Sequence, residues 1–303
     1  MKEIKGVHYI LLTPFKEDES IDEDSLRNIV DFQLKANVQG LAILGFMGEV
    51  HKMTDSEKAR VIEIVVDEVN GKIPISVGVR AFSTHTAIFQ SQEAQKLGAS
   101  SVFVAPLNIQ DDEVLFEFYS RIAQNVDIPV IIHDYPISFN TVLSPALITR
   151  LNQKGGINFL KLEDYPSGQK LSKIKEMTNG KIKILGGMGG LYYLEELQRG
   201  AEGIMTGFCY VEVLVKIYEK VKNGNIEGAE KTFDHYMPLI RYDMQLKLGM
   251  AIRKYVYYKR GIIASNTVRH PAPVLDRYTE KELERIVERV GLSINDGNVQ
   301  NVI

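Results

Sequence analysis

The sequence predicts an α/β chain, a (β/α)8 TIM barrel carrying a C-terminal helical extension, on three observations. Eight short, β-branched apolar runs recur through the first two thirds of its 303 residues. A helix-length amphipathic stretch follows each of them. After Tyr210 such runs stop and only helical patterns remain. Strict β/α alternation calls for a parallel sheet, and eight units within about 220 residues suit a closed barrel. A doubly wound sheet usually has fewer strands and a phosphate-binding glycine turn after its first; here the first run ends in "TPF".

The strand candidates are, in order, "VHYILLTPF", "GLAILGF", "IPISVGV", "SVFVAP", "IPVIIHD", "INFLKLE", "KIKILGG" and "GIMTGF". Helix starts are marked by Thr54 with Glu57 three residues on, a capping box, and by Ser144 followed by Pro145; a further helix-length stretch runs from Ser83. Glycine in "KLGA" (96–99) and "QRGAEG" (198–203) marks helix ends. Four helical stretches close the chain: "VEVLVKIYEKVKNG", which completes the eighth unit, then "IEGAEKTFDHYMPLIRYDMQ", "LKLGMAIRKYVYYKRG" and "TEKELERIVERVG". The organisation is a barrel over residues 1–223 and an extension over 224–303. The segment from Arg241 to Gly261 has apolar and aromatic positions that could cover the barrel or form an interface and is assigned to core packing, and the tail "SINDGNVQNVI" is expected to fray.

Composition narrows the partners. With 45% hydrophobic and 25% charged residues the chain is an ordinary globular one, and a net charge of −3 gives no electrostatic case for nucleic acid or a membrane surface. A small molecule is the expected partner. The single Cys209 excludes an internal disulfide framework and a Cys-rich metal site. The six histidines (8, 51, 85, 133, 235, 270) fall in no ligand-pair spacing, so no metal is expected. "MKEIKGVHYILLTPF" is too short an apolar run for a signal peptide or span, which places the chain in the cytoplasm.

In such a barrel the chemistry sits at the C-terminal ends of the strands. Polar groups there are Thr13, "GFMGE" (45–49), Arg80, Asn108, "HDY" (133–135), Lys161 and Glu163, "GGMGG" (186–190) and Thr206. Lys161 is the hardest to explain structurally. Alternation along "INFLKLED" sets Phe159, Lys161 and Glu163 on one face and Leu160 and Leu162 on the other. A lysine facing the interior loses the hydration of its ammonium, which lowers its pKa and leaves an amine able to attack a carbonyl. If the strand lies at an edge, Lys161 is only a solvated side chain. His133 is the candidate for proton transfer, with Glu163 second. Gly45, Phe46, Met47, Gly48, Glu49, Tyr135, Gly186, Gly187 and Thr206 are the candidates for substrate contact, the glycine loops through backbone amides offered to a carboxylate.

"TPF", "GFMGE…MTDSEK", "IPISVGV", "DYP", "KLED" and "GAEGIMTG" resemble, in order and spacing, the dihydrodipicolinate synthase/N-acetylneuraminate lyase family of class I aldolases, over about residues 5–275. The resemblance implies a (β/α)8 barrel, commonly a tetramer, whose sixth-strand lysine forms a Schiff base with pyruvate or another 2-oxo acid. That lysine falls on Lys161, and no cofactor beyond this covalent imine is implied. The chain departs from the family elsewhere. The two threonines of the family's G-T-T-G-E loop fall on Phe46 and Met47, and the tyrosine of its Y-N-V-P motif falls on His133. The arginine two residues after the proline is Ser138, and the tyrosine after the fourth strand is Leu107 or Asn108. The expected function is therefore that of a lyase on a 2-oxo acid, cleaving or dehydrating a 2-oxo-3-deoxy sugar acid. Dihydrodipicolinate synthesis is the alternative among enzymes, and a non-catalytic 2-oxo acid binding protein the alternative outside them. A homo-oligomer, tetramer or dimer, is expected.

Overall fold

A computed structural model describes residues 3–303, so the first two residues of the expected barrel span lie outside it. Eight strands form the sheet: β1 (Gly6–Ile10), β2 (Gly40–Ile43), β3 (Ile75–Val79), β4 (Ser101–Val104), β5 (Val130–Asp134), β6 (Phe159–Leu162), β7 (Lys183–Gly186) and β8 (Gly203–Thr206). They pair in parallel in chain order, and β8 closes on β1 through Gly6↔Gly203 to Tyr9↔Thr206. Closure needs glycine at 203, where a Cβ would lie 2.0 Å from the Gly6 carbonyl oxygen. All eight strands are essentially buried on both faces, which is why their sequences read as continuous apolar runs.

Helices α1 (Glu23–Lys35), α2 (Asp55–Val69), α3 (Thr84–Lys96), α4 (Asp112–Ala123), α5 (Pro136–Phe139), α6 (Pro145–Lys154), α7 (Ser167–Met177), α8 (Tyr193–Gln198) and α9 (Val211–Lys222) fill the connections. The caps read from the sequence are in place. Thr54 and Glu57 complete their reciprocal capping box, Ser144 accepts from the amide three residues on, and Pro145 opens α6; the structure adds Ser83, which accepts from the Thr86 amide. Apolar side chains divide into two sets, as a barrel requires. Ile10, Ala42, Phe103, Ile131, Leu185 and Met205 fill the interior, while a larger cluster that includes Leu41, Val102, Leu160, Ile204 and the inner helix faces seals the outside.

Three helices, α10 (Ile226–Asp243), α11 (Gly249–Lys259) and α12 (Arg277–Arg289), make up the extension. It is tied to the barrel by buried ion pairs: Lys254 to Glu49 at 2.6 Å and Arg260 to Glu212 at 2.9 Å. The tail does not fray. Arg260 donates to the carbonyls of Asp296 and Asn298, at 3.0 and 2.7 Å, and Thr232 donates to that of Ile303 at 2.6 Å, with Leu292 and Ile294 buried. The sequence cue for fraying was polarity; the carbonyls that anchor the tail are common to every residue and leave no mark in a side-chain pattern. No helix among the described residues is long and apolar enough to cross a membrane.

Candidate active site

Strands β5 and β6 set the centre. Their register puts His133 beside Lys161, and both side chains point inward at the C-terminal mouth because Leu160 and Leu162 take the opposite face into the outer core. Lys161, His133 and Glu163 are all buried. Lys161 Nζ lies 2.8 Å from His133 Nε2, and Glu163 Oε2 is 2.9 Å from the same nitrogen. Glu163 Oε2 also accepts a short hydrogen bond from Lys161. The second carboxylate oxygen, Oε1, accepts from the Met188 amide at 2.8 Å, so the β7 loop holds the carboxylate in place.

These contacts set the charges. Burial pushes the Lys161 amine below its ordinary value, against the pull of Glu163. Burial first and the Lys161 charge second push His133 down to about 4, which leaves a neutral imidazole at neutral pH. Burial alone would raise Glu163, but Lys161 and His133 outweigh it and hold the carboxyl at about 2. The result is an ionised carboxylate and a neutral imidazole, both touching an amine that burial holds below its ordinary pKa. Phe103 and Phe139 pack edge-on against the His133 ring, and Tyr135 stacks on it at 6.1 Å between centroids.

A cavity of about 270 Å³ opens over this trio. Gly45, Phe46, Met47, Tyr135 and Thr206 line it, as the sequence predicts. Four candidates do not line it as substrate contacts. Gly48 and Glu49 spend their amides on the carbonyls of Gly45 and Phe46 inside a 3-10 turn. The Glu49 carboxylate turns away to Lys52 and Lys254. Gly186 backs onto Glu196, outside the barrel, and Gly187 packs against Glu163, whose Cγ would be 2.4 Å from a Cβ there. The "GGMGG" amides serve the protein instead of a ligand: Met188 donates to Glu163, and Gly189 to Thr206 Oγ1 at 2.9 Å. Gly189 itself reaches the cavity. Asp134, on the other face of β5, pairs with Lys170 of α7 at 2.7 Å and takes no part.

The far wall comes from the extension, which sequence reasoning assigned to packing or an interface and not to the site. Asp243, Met244, Gln245, Gly249, Met250 and Arg253 line the cavity. The signal was present. Asp243 follows Leu239 and Ile240 at helical spacing and Arg253 precedes Val256 and Tyr257, so each lies on an apolar helix face, and a charge there poses the same question as Lys161 does on a strand. Among the described residues no group of three or more His, Cys, Asp or Glu side chains is arranged to hold a metal ion.

A closed parallel barrel that gathers a buried amine, an imidazole and a carboxylate in mutual contact at its C-terminal mouth has the layout of an enzyme. The model of the dihydrodipicolinate synthetase family matches residues 3–290, and the chain belongs to that family. Members of the family are lyases, and this chain is one. It is 27% identical over 293 residues to the L-2-keto-3-deoxyarabonate dehydratase of Azospirillum brasilense, covering 94% of each chain. It is 31% identical over 295 residues to the 4-hydroxy-tetrahydrodipicolinate synthase of Methanopyrus kandleri, covering 96% of this chain and 97% of that one. Among solved structures, the dihydrodipicolinate synthase of Rhodopseudomonas palustris superposes with a TM-score of 0.90 at 29% identity, covering 94% of this chain and 97% of that chain.

Proposed function

We propose that this lyase acts on a 2-oxo acid through a Schiff base on Lys161, and that the substrate is a 2-oxo-3-deoxy sugar acid that it dehydrates or cleaves. The contact of Lys161 with both His133 and Glu163 carries the reading. The amine nitrogen attacks the C2 carbonyl, and the carbonyl oxygen leaves as water, with protons relayed through His133 and Glu163. The protonated imine draws electrons from C3. His133 takes the C3 proton, the C4 hydroxyl leaves as water with a proton from the same pair, and hydrolysis of the imine returns Lys161. In cleavage the C3–C4 bond breaks instead, and the C4 hydroxyl gives up the proton. The imine is itself the electron sink, so the reading calls for no metal or organic cofactor.

The dehydratase name of the Azospirillum relative supports the sugar-acid class. The synthase name of the Methanopyrus relative supports the alternative of dihydrodipicolinate synthesis, against which stand His133, Phe46 and Met47 where the family resemblance has a tyrosine and two threonines. A cytoplasmic homo-oligomer, tetramer or dimer, suits the buried free thiol of Cys209 and the exposed rings of Phe82 and Phe89. The test is borohydride trapping with pyruvate and a panel of 2-oxo-3-deoxy sugar acids, read as intact mass and mapped by peptide. An adduct on Lys161 is expected. No adduct with any acid, where a known relative is labelled, moves the chain to a non-catalytic 2-oxo acid binder.

A further inference from the structure

Most polar side chains on the cavity wall are already engaged. Lys161, His133 and Glu163 hold one another, Arg253 donates to Asp243 at 2.6 Å, and Thr206 Oγ1 accepts from the Gly189 amide. Gln245 donates its side-chain amide to the Tyr242 carbonyl at 3.0 Å. His51 lies against the Phe46 ring, and Lys247 sits on the exposed loop between α10 and α11. Two hydroxyls remain, those of Tyr135 and Ser138 at the start of α5. The Ser138 amide donates to the Tyr135 carbonyl at 3.1 Å. Burial first and Glu163 second raise the Tyr135 phenol above its ordinary value, against the pull of the Ser138 hydroxyl beside it, so the phenol keeps its proton at neutral pH. Among the described residues no carbonyl or carboxylate accepts that proton. The ring is fixed from three sides: it stacks on His133 with 13° between the planes, and meets Phe46 and Phe139 edge-on at 6.5 and 6.1 Å between centroids. Tyr135 follows His133 by two residues at the C-terminal end of β5, so it stands on the mouth side of the imidazole. In the proposed chemistry C2 is joined to Lys161 and the C4 oxygen meets His133 and Glu163. The next carbon outward, C5, then comes level with Tyr135 and Ser138.

We propose that Tyr135 and Ser138 form a subsite for the C5 hydroxyl of the substrate, the phenol donating to that oxygen and Ser138 Oγ accepting its proton. The enzyme thereby selects a 2-oxo-3-deoxy sugar acid of at least five carbons that carries an uncharged hydroxyl at C5. The inference deepens the Schiff-base reading and rests on it. Each of the two hydroxyls can donate and accept, as a sugar hydroxyl requires. A pocket built to hydrogen-bond a hydroxyl discriminates against the analogue that lacks it, because its own polar groups are then left unpaired.

The test follows borohydride trapping on Lys161 against concentration for pyruvate, 2-oxopentanoate and 5-hydroxy-2-oxopentanoate. Neither five-carbon acid has a C4 hydroxyl, so neither can be dehydrated or cleaved, and the half-saturating concentrations read binding alone. Tyr135→Phe keeps the ring against His133, Phe46 and Phe139 while removing the phenol oxygen, and Ser138→Ala removes the second hydroxyl. Each is expected to raise the 5-hydroxy-2-oxopentanoate value, and the double variant Y135F/S138A to raise it about 5- to 30-fold, the range of one to two net hydrogen bonds between neutral groups. The 2-oxopentanoate and pyruvate values stay in place. An unchanged 5-hydroxy-2-oxopentanoate value in the double variant overturns the subsite, and so does parallel weakening of both five-carbon acids, which marks the two residues as packing only. A wild-type chain that traps pyruvate and neither five-carbon acid leaves the Schiff base standing and overturns the subsite. A wild-type chain that traps none of the three overturns the imine reading and this inference with it, a result seen before any variant is made.

Discussion

Replacing His133 by Phe tests the chemistry and the electrostatics together. The ring is edged by Phe103 and Phe139 and stacked on Tyr135, so a phenyl keeps the packing while removing the nitrogen that lies 2.8 Å from Lys161 Nζ. A positioned acid/base contributes about 10²- to 10⁴-fold. Glu163 still touches the amine, which places the expected loss of turnover at about 10²- to 10³-fold, roughly 3–4 kcal/mol of barrier. Trapping on Lys161 persists, because attack on the carbonyl needs only the amine. Stability supplies a second readout. Burial and the Lys161 charge hold folded His133 at about 4, below its ordinary 6.5. Between those values the unfolded chain takes a proton that the folded one refuses, so stability is full above pH 6.5 and falls as pH drops toward 4, by on the order of 3 kcal/mol. In His133→Phe that part of the slope disappears. Steady-state turnover, trapping, and urea unfolding at pH 7 and pH 4.5 read all three. Unchanged turnover refutes the proton-transfer role, and an unchanged acid slope refutes a buried neutral imidazole.

Gly187→Ala sets a methyl 2.4 Å from Glu163 Cγ and Oε1; the displaced carboxylate should lower turnover by about tenfold to a hundredfold with little change in Tm, as a misplacement near 1 Å does. Glu196 is buried with one oxygen accepting from Ser167 Oγ, and burial raises its carboxyl to about 8. The folded chain keeps a proton that the unfolded chain loses from pH 4.5 upward, so this contribution is full below pH 4.5 and is lost as pH rises through 8. Glu196→Gln should therefore gain roughly 2–4 kcal/mol in urea unfolding at pH 8 and little at pH 4. Arg260→Met strands the buried Glu212 and releases the tail carbonyls; the expected cost is about 3–5 kcal/mol by calorimetry or denaturant.

The barrel was legible because its signals are local. Runs such as "IPVIIHD" and caps such as Thr54 with Glu57 lie within a few residues of each other, and each appears where the sequence places it. Lys161 was legible for a different reason: a charge in an apolar strand is an energetic anomaly that one segment displays by itself. The glycine loops misled, because a sequence shows that an amide is available and not which acceptor takes it; Met188 and Gly189 face Glu163 and Thr206, far off in the chain. Arg253 was missed since its partner Asp243 and its neighbours Met47 and Gly207 meet only after the extension folds back.

That folding back has a consequence in time. The last strand ends at Thr206, while the wall formed by Asp243 to Arg253 and the Arg260 clamp on the tail come later in the chain. Synthesis runs at about 5–20 residues per second, so several seconds separate emergence of the last strand from that of the clamp. Throughout that interval the side of the Lys161 cavity that the extension lines has not yet been made. The cavity has its full lining only when the final helices have been made and have closed the wall.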